Sequence, residues 1–131
     1  MKAYDSFEKV VQQVSAIVGD KGLNVLINNA GILPSGSRTT PFYTEEMAET
    51  YEVNTIAPTK LTKAFLPLLK QAGATNCEGD YYVKKSLVVN MSSILGSIES
   101  TSSSFYLPYN CTKVRFIPFF HLVLAIEVFF S

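Results

Sequence analysis

Apolar residues recur at helical spacing near the start of the chain, at Phe7, Val10, Val11, Val14, Ile17 and Val18, with polar residues between them. This pattern predicts an amphipathic helix from Asp5 to about Gly19, and Asp5 with Glu8 three residues on resembles a capping box. Leu23 to Ile27 then runs apolar apart from Asn24, with β-branched members, as a strand covered on both faces does. Ile32 to Pro41 holds Pro34, Ser35, Gly36 and Ser37 and reads as a loop. Thr44, followed by Glu45 and Glu46, caps a second helix that extends to about Leu69, with Tyr51, Val53, Ile56, Leu61, Ala64, Phe65 and Leu68 as its apolar positions. Pro58 and Pro67 interrupt it.

Gln71 to Lys85 is polar and aperiodic, the pattern of an exposed insertion. Ser86 to Met91 is a second buried strand centred on Leu87-Val88-Val89. Strand, helix and strand together make a βαβ unit, whose strands are parallel and whose crossover is right-handed. The serines from Ser100 to Ser104 form a loop that leads to Pro108, in the first turn of a helix carrying Tyr109 and Lys113. The expected fold class is therefore α/β with a parallel sheet. No repeat or linker divides the chain, so one domain is expected over 1–113, followed by an apolar tail over 114–131.

That tail raises the question of a membrane span. Phe116 to Phe130 falls short of the roughly 20 predominantly apolar residues a span needs. It also contains Pro118, His121 and Glu127, so a buried or misplaced segment is expected and no membrane partner. At 47% hydrophobic and 17% charged residues, the composition is that of a globular protein with a core. Eleven basic residues balance eleven acidic ones, and Lys84-Lys85 is too short a basic run for a phosphate-backbone footprint, which argues against nucleic acid. Met1 to Val10 lacks the apolar core of a signal peptide, so a cytoplasmic location with Cys77 and Cys111 as reduced thiols is expected. The glycosylation sequons at Asn90 and Asn110 are then inert, and a lone His121 with two distant cysteines makes no metal site.

The residues that carry chemistry stand in a fixed order. Asn28-Asn29-Ala30-Gly31 closes the first strand, Asn54 lies in the second helix, Ser93 closes the second strand, and Tyr109-Asn110-Cys111-Thr112-Lys113 follows on a helix. A helix puts residues four apart on one face, so Tyr109 and Lys113 are neighbours, and strand ends are where active sites of open α/β sheets gather. A phenol with an unperturbed pKa near 10 is a sluggish acid at neutral pH, and a nearby cation favours its ionised form. Lys113 supplies that cation, Tyr109 the proton, and the Ser93 hydroxyl a hydrogen bond to a carbonyl oxygen that gains charge as hydride arrives. Tyr81 and Lys85 have the same spacing, but they lie in the insertion with no serine-bearing strand end before them and read as accidental. Pro58 has no N–H to give the Asn54 carbonyl, which is therefore freed to hold a water; taken alone, the same residues describe a kinked core helix. Small residues at Asn28 to Gly31 admit a ligand close to the backbone, and they equally describe an ordinary strand-ending turn.

On these motifs the chain resembles the short-chain dehydrogenase/reductase family. Ile94-Leu95-Gly96-Ser97-Ile98 after the two serines, with the wide gap from Ser93 to Tyr109, looks most like its C-factor and Sniffer-type carbonyl reductases. The resemblance runs from Asp5 to Lys113 and implies a Rossmann-like doubly wound sheet and an NAD(P)-dependent oxidoreductase acting on a small carbonyl or hydroxyl substrate. By the same resemblance Tyr109 is the acid-base, and Lys113 tunes it and binds nicotinamide-ribose hydroxyls. Ser93 orients the carbonyl and Asn54 holds a proton-relay water. Asn28, Asn29, Ala30 and Gly31 line the cofactor cleft, and the cofactor is NADP or NAD, with NADP implied by the Sniffer-like group.

The seven glycines contain no Gly-x-x-x-Gly-x-Gly turn. The family's first strands and its C-terminal part are also missing from these 131 residues, and Val114-Arg115-Phe116-Ile117-Pro118 brings bulk and a helix breaker where the family continues a small-residue helix. The expectation is a central fragment with the catalytic residues present, a tail foreign to the fold, and negligible turnover alone. The second reading is a non-catalytic fragment that pairs with a full-length relative through exposed sheet edges, so that homo- or hetero-oligomers are expected partners.

Overall fold

The structure is a computed structural model that describes residues 5–34, 44–75, 86–99, 106–114 and 124–127. Its elements in chain order are α1 (Asp5–Val18), β1 (Val25–Asn28), α2 (Thr44–Tyr51), α3 (Ala57–Thr75), β2 (Leu87–Asn90), α4 (Leu107–Val114) and β3 (Leu124–Glu127). A π-helical turn, Glu52–Ile56, joins α2 to α3, and short 3-10 turns follow α1 and β2. The three strands form one sheet in the order β1-β2-β3. Leu87 donates to the Asn24 carbonyl at 2.7 Å and Met91 to the Asn28 carbonyl at 3.1 Å, an equal step along both strands, which is the parallel ladder a βαβ unit requires.

The chain divides into two units, one made of Met1–Ile27, Thr59–Val89 and Ala125–Ser131, the other of Asn28–Pro58 and Asn90–Leu124. In the first, Phe65, Leu68, Leu69 and Ala72 follow the i, i+3, i+4, i+7 rule and are buried with Val88 of β2. Val11, Val14 and Val18 of α1, Leu61 of α3, and Leu23 and Leu26 pack on that core. Each fully buried Leu or Phe here is worth about 1.5–3 kcal/mol against exposure. Gly22, at φ +70°, is the tight point: a Cβ there would come within 2.5 Å of the Leu68 carbonyl, so only glycine lets the turn before β1 lie against α3, where Leu23 donates to that carbonyl at 2.9 Å.

Four differences from the sequence pattern have physical causes. Val10 and Ile17, seven residues apart, share the flank of the α1 stripe rather than its centre, and Ile17 is 83% exposed. β1 is covered on one face: Leu26 meets the core, whereas Val25 and Ile27 are 46% and 57% exposed, against the expectation of cover on both. α3 runs on to Thr75 instead of stopping at Leu69, because Ala72 and Ala74 favour helix and Ala72 is buried; the exposed Pro67 cannot donate to the Lys63 carbonyl but does not end the helix. Leu124–Glu127 of the apolar tail is the strand next to β2, a role that a short apolar run does not announce. Tyr81, Lys85, Cys77, His121 and the loop residues Ser35 to Pro41 lie outside the described residues. Among the described residues no helix is long and apolar enough to cross a membrane.

Candidate active site

The second unit holds every residue singled out by the motifs. Asn28 ends β1, and its Nδ2 donates to Oδ1 of Asn90, the last residue of β2, at 2.8 Å. Asn29, Ala30 and Gly31 continue as an exposed irregular stretch, as expected where a strand has ended. Ile32 then returns to the protein through Asn54. The Asn54 Oδ1 accepts from the Ile32 N–H at 2.8 Å, and its Nδ2 donates to the Ile32 carbonyl at 2.9 Å. One side-chain amide thus satisfies both polar groups of one residue of loop backbone, which explains why Asn54 is only 2% exposed without leaving polar atoms stranded.

Asn54 sits in the π-helical turn rather than in a continuous helix. Here Ala57 donates to the Glu52 carbonyl, one residue further back than in an α-helix. The widening falls just before Pro58, which cannot donate to Asn54, so the missing α-helical bond and the wide turn have one cause. The second hydrogen of the Asn54 amide goes to Thr112 Oγ1 at 3.2 Å, and that hydroxyl in turn donates to the Tyr109 carbonyl at 2.7 Å.

Lys113 is 5% exposed, and its Nζ donates to the Met91 carbonyl at 2.7 Å. The same Nζ stands 5.4 Å from the centroid of the Tyr109 ring, on the face of α4 that the i, i+4 spacing requires. Burial holds the Lys113 pKa below its ordinary 10.5, because an ammonium loses hydration there. Gly31 lies beside it: a Cβ at Gly31 would be 3.2 Å from Asn54 Oδ1 and 3.7 Å from Lys113 Nζ.

Ser93 caps the 3-10 turn Ile94–Gly96, accepting from Leu95 N–H at 3.2 Å. That bond uses a lone pair and leaves the O–H to be donated. The turn rests on α4 through Gly96, where a Cβ would come within 2.7 Å of the Lys113 carbonyl carbon, and Ser92 Oγ donates to the Lys113 carbonyl at 3.4 Å. The structure therefore gathers Gly31, Asn54, Tyr109 and Lys113 directly, and joins Ser93 to them through its turn. Ile32, Gly96, Thr112 and the Met91 carbonyl are site residues to which the motifs assigned no role. Gly96 and Thr112 stood inside the strings Ile94 to Ile98 and Tyr109 to Lys113, whereas Ile32 and Met91 had no such signal. Among the described residues no group of His, Cys, Asp and Glu is placed to hold a metal.

The short chain dehydrogenase family profile matches residues 1–125, so the chain belongs to the short-chain dehydrogenase family. Carbonyl reductase Sniffer of D. melanogaster superposes with a TM-score of 0.77 at 40% identity, over 85% of this chain and 45% of that one. The NADPH-bound carbonyl reductase from chicken fatty liver gives 0.70 at 34% identity, over 85% and 43%. An NADPH-dependent 3-dehydrocapnine reductase of Ornithobacterium rhinotracheale is 38% identical over 77 residues, 58% of this chain and 26% of that protein. The chain thus spans about a quarter of this curated relative and under half of these solved structures.

Proposed function

We propose that this site belongs to an NAD(P)-dependent oxidoreductase that interconverts a small carbonyl compound and its alcohol, with Tyr109 as acid-base, Lys113, Ser93 and Asn54 as its partners, and NADP as the preferred cofactor. The observation that carries the reading is the buried Lys113 ammonium, fixed by the Met91 carbonyl beside the Tyr109 ring. Carbonyl reduction leaves a phenolate on Tyr109 once its proton has gone to the substrate oxygen, and a cation held at that distance stabilises it. The Ser93 O–H, free to donate, faces the same need from the substrate side by bonding the oxygen as it gains charge. The Asn54 carbonyl, in the wide turn, holds a water that returns the proton by way of Lys113.

The residues present fit the nicotinamide-ribose end of such a cofactor. Gly31, three residues past the end of β1, brings a backbone without a side chain next to a donor ammonium, an opening that a Cβ would narrow, so Asn28 to Gly31, Tyr109 and Lys113 would hold that end. The cofactor, when bound, supplies the hydride. Its phosphate end has no Gly-x-x-x-Gly-x-Gly turn among these 131 residues, and positioning supplies much of a barrier reduction, so the chain alone is expected to turn over negligibly. NADPH oxidation with a reactive dione measures this: a fast rate abolished by Tyr109→Phe overturns the inactivity, and a fast rate indifferent to Tyr109→Phe overturns the site. Binding tests the site independently of turnover. Added NADPH is expected to shift the Gly31 and Tyr109 amide resonances, with the shifts lost in Lys113→Met; unmoved resonances in the wild type overturn the assignment.

One observation favours a second, non-catalytic reading. β1 stands at the end of the strand order and presents Val25 and Ile27 to solvent, so a full-length relative could pair along it. Co-purification with such a relative supports this reading, and a monomer at high concentration overturns it.

A further inference from the structure

We propose that Thr112 is a positioning residue for this site: its hydroxyl locks the register of α4 against the Ile32–Asn54 clamp, and so keeps Lys113 at the Met91 carbonyl. The inference rests on the reading of Tyr109 and Lys113 given above and deepens it. Thr112 is fully buried, and its one hydroxyl is used twice, as donor to the Tyr109 carbonyl at 2.7 Å and as acceptor from Asn54 Nδ2 at 3.2 Å. A hydroxyl has one hydrogen, so the two bonds fix each other's direction, and the Asn54 amide can give its second hydrogen to Thr112 only while it holds Ile32 with its other atoms. The result is a continuous path of hydrogen bonds from the loop after β1, through the π-helical turn, to the first turn of α4.

The consequence for the site follows from helix geometry. Tyr109 and Lys113 flank Thr112 on α4, and rotating or sliding the helix by a fraction of a turn moves both together. The Met91 carbonyl can receive Lys113 Nζ from one register of the helix, and Gly96 lies too close to the Lys113 backbone to follow a shifted one. Valine has the shape of threonine and neither hydrogen bond, whereas serine keeps both bonds and loses a methyl. The hydroxyl, and not the packing, is the positioning element.

The test compares Thr112→Val with Thr112→Ser in the whole chain, by 15N NMR of the Asn54 side-chain amide and the Lys113 ammonium, with far-UV circular dichroism as the check of folding. Thr112→Val is expected to exchange the Asn54 side-chain amide about fivefold faster, the factor that one hydrogen bond of ordinary net strength represents. The same variant is expected to lose the slow-exchanging Lys113 ammonium signal, and Thr112→Ser to retain both signatures. Equal signatures in the valine and serine variants overturn the proposal, as does loss of the Asn54 signature in the serine variant. Should the valine variant fail to fold, Thr112→Ala takes its place in the comparison. These readouts need no turnover. Failure of NADPH to bind the wild type therefore counts against the enzymatic reading, while the resonances decide the role of Thr112.

Discussion

Asn54 holds Ile32 at both ends, accepting from its N–H at 2.8 Å and donating to its carbonyl at 2.9 Å, although the two residues lie in different segments of the chain. Replacing Asn54 by Leu leaves both backbone groups of half-buried Ile32 and the buried Thr112 hydroxyl short of a partner, each of which carries a desolvation cost. The expected loss is about 2–4 kcal/mol of unfolding free energy. Urea denaturation measures it, and a loss below about 0.5 kcal/mol, the scatter of ordinary surface changes, would show that the clamp holds nothing.

Two glycines make a contrasting pair. At Gly96 an added Cβ would come within 2.8 Å of the Lys113 carbonyl oxygen and Cβ, so Gly96→Ala must push the turn and α4 apart. Overpacking of this kind costs about 1–3 kcal/mol, and the melting temperature is expected to fall by several degrees. At Gly73, inside α3, the nearest atom to an added Cβ is Ser86 Oγ at 3.6 Å, an ordinary contact. There alanine gains helix propensity, worth about 0.5–1 kcal/mol, and Gly73→Ala is expected to raise the melting temperature. Thermal melts of the two variants moving in the same direction would contradict this reading of the packing.

The contrast also shows what a sequence makes legible. Tyr109 and Lys113 could be placed together because helix periodicity alone brings residues four apart to one face. The parallel βαβ unit could be read because two apolar strands with a helix between them leave few topologies. Asn54 was marked by Pro58, whose missing N–H is a chemical fact of the sequence. The form that this took, a wide turn with the side chain clamping Ile32, was not, because the bonds go to backbone that any residue would offer. Gly96 was visible only as a member of the string Ile94 to Ile98, since the need for glycine arises from a helix that approaches from elsewhere in the chain. The one-sided cover of β1 and the strand at Leu124–Glu127 depend on neighbours in space, and a run of apolar residues does not name them.

Val25 and Ile27 point to the same side of β1 because strand residues alternate, and both are exposed. An apolar pair on a strand at the end of a sheet invites association with another strand. Ile27→Lys is expected to reduce self-association, seen as a smaller particle size by light scattering at high concentration. Because Ile27 is more than half exposed, the same change should alter the unfolding free energy by no more than about 0.5 kcal/mol. Undiminished association would place the sticky surface elsewhere.

Lys113 gives the chain a definite response to pH. Burial lowers its pKa in the folded state below 10.5, while the unfolded chain keeps the ordinary value. Between the two values the unfolded state binds more protons than the folded one, so unfolding free energy rises with pH through that window. The cost of burying the ammonium is present in full at pH values below the folded pKa and is gone above 10.5. Lys113→Met removes this titration and leaves the Met91 carbonyl without its donor, an offset that does not vary with pH. Denaturant midpoints of the two proteins should therefore diverge as pH is raised toward 10.5, with the wild type gaining on Lys113→Met. Parallel curves would mean that the lysine is as well hydrated in the folded chain as in the unfolded one, and the buried cation beside Tyr109 would have to be given up.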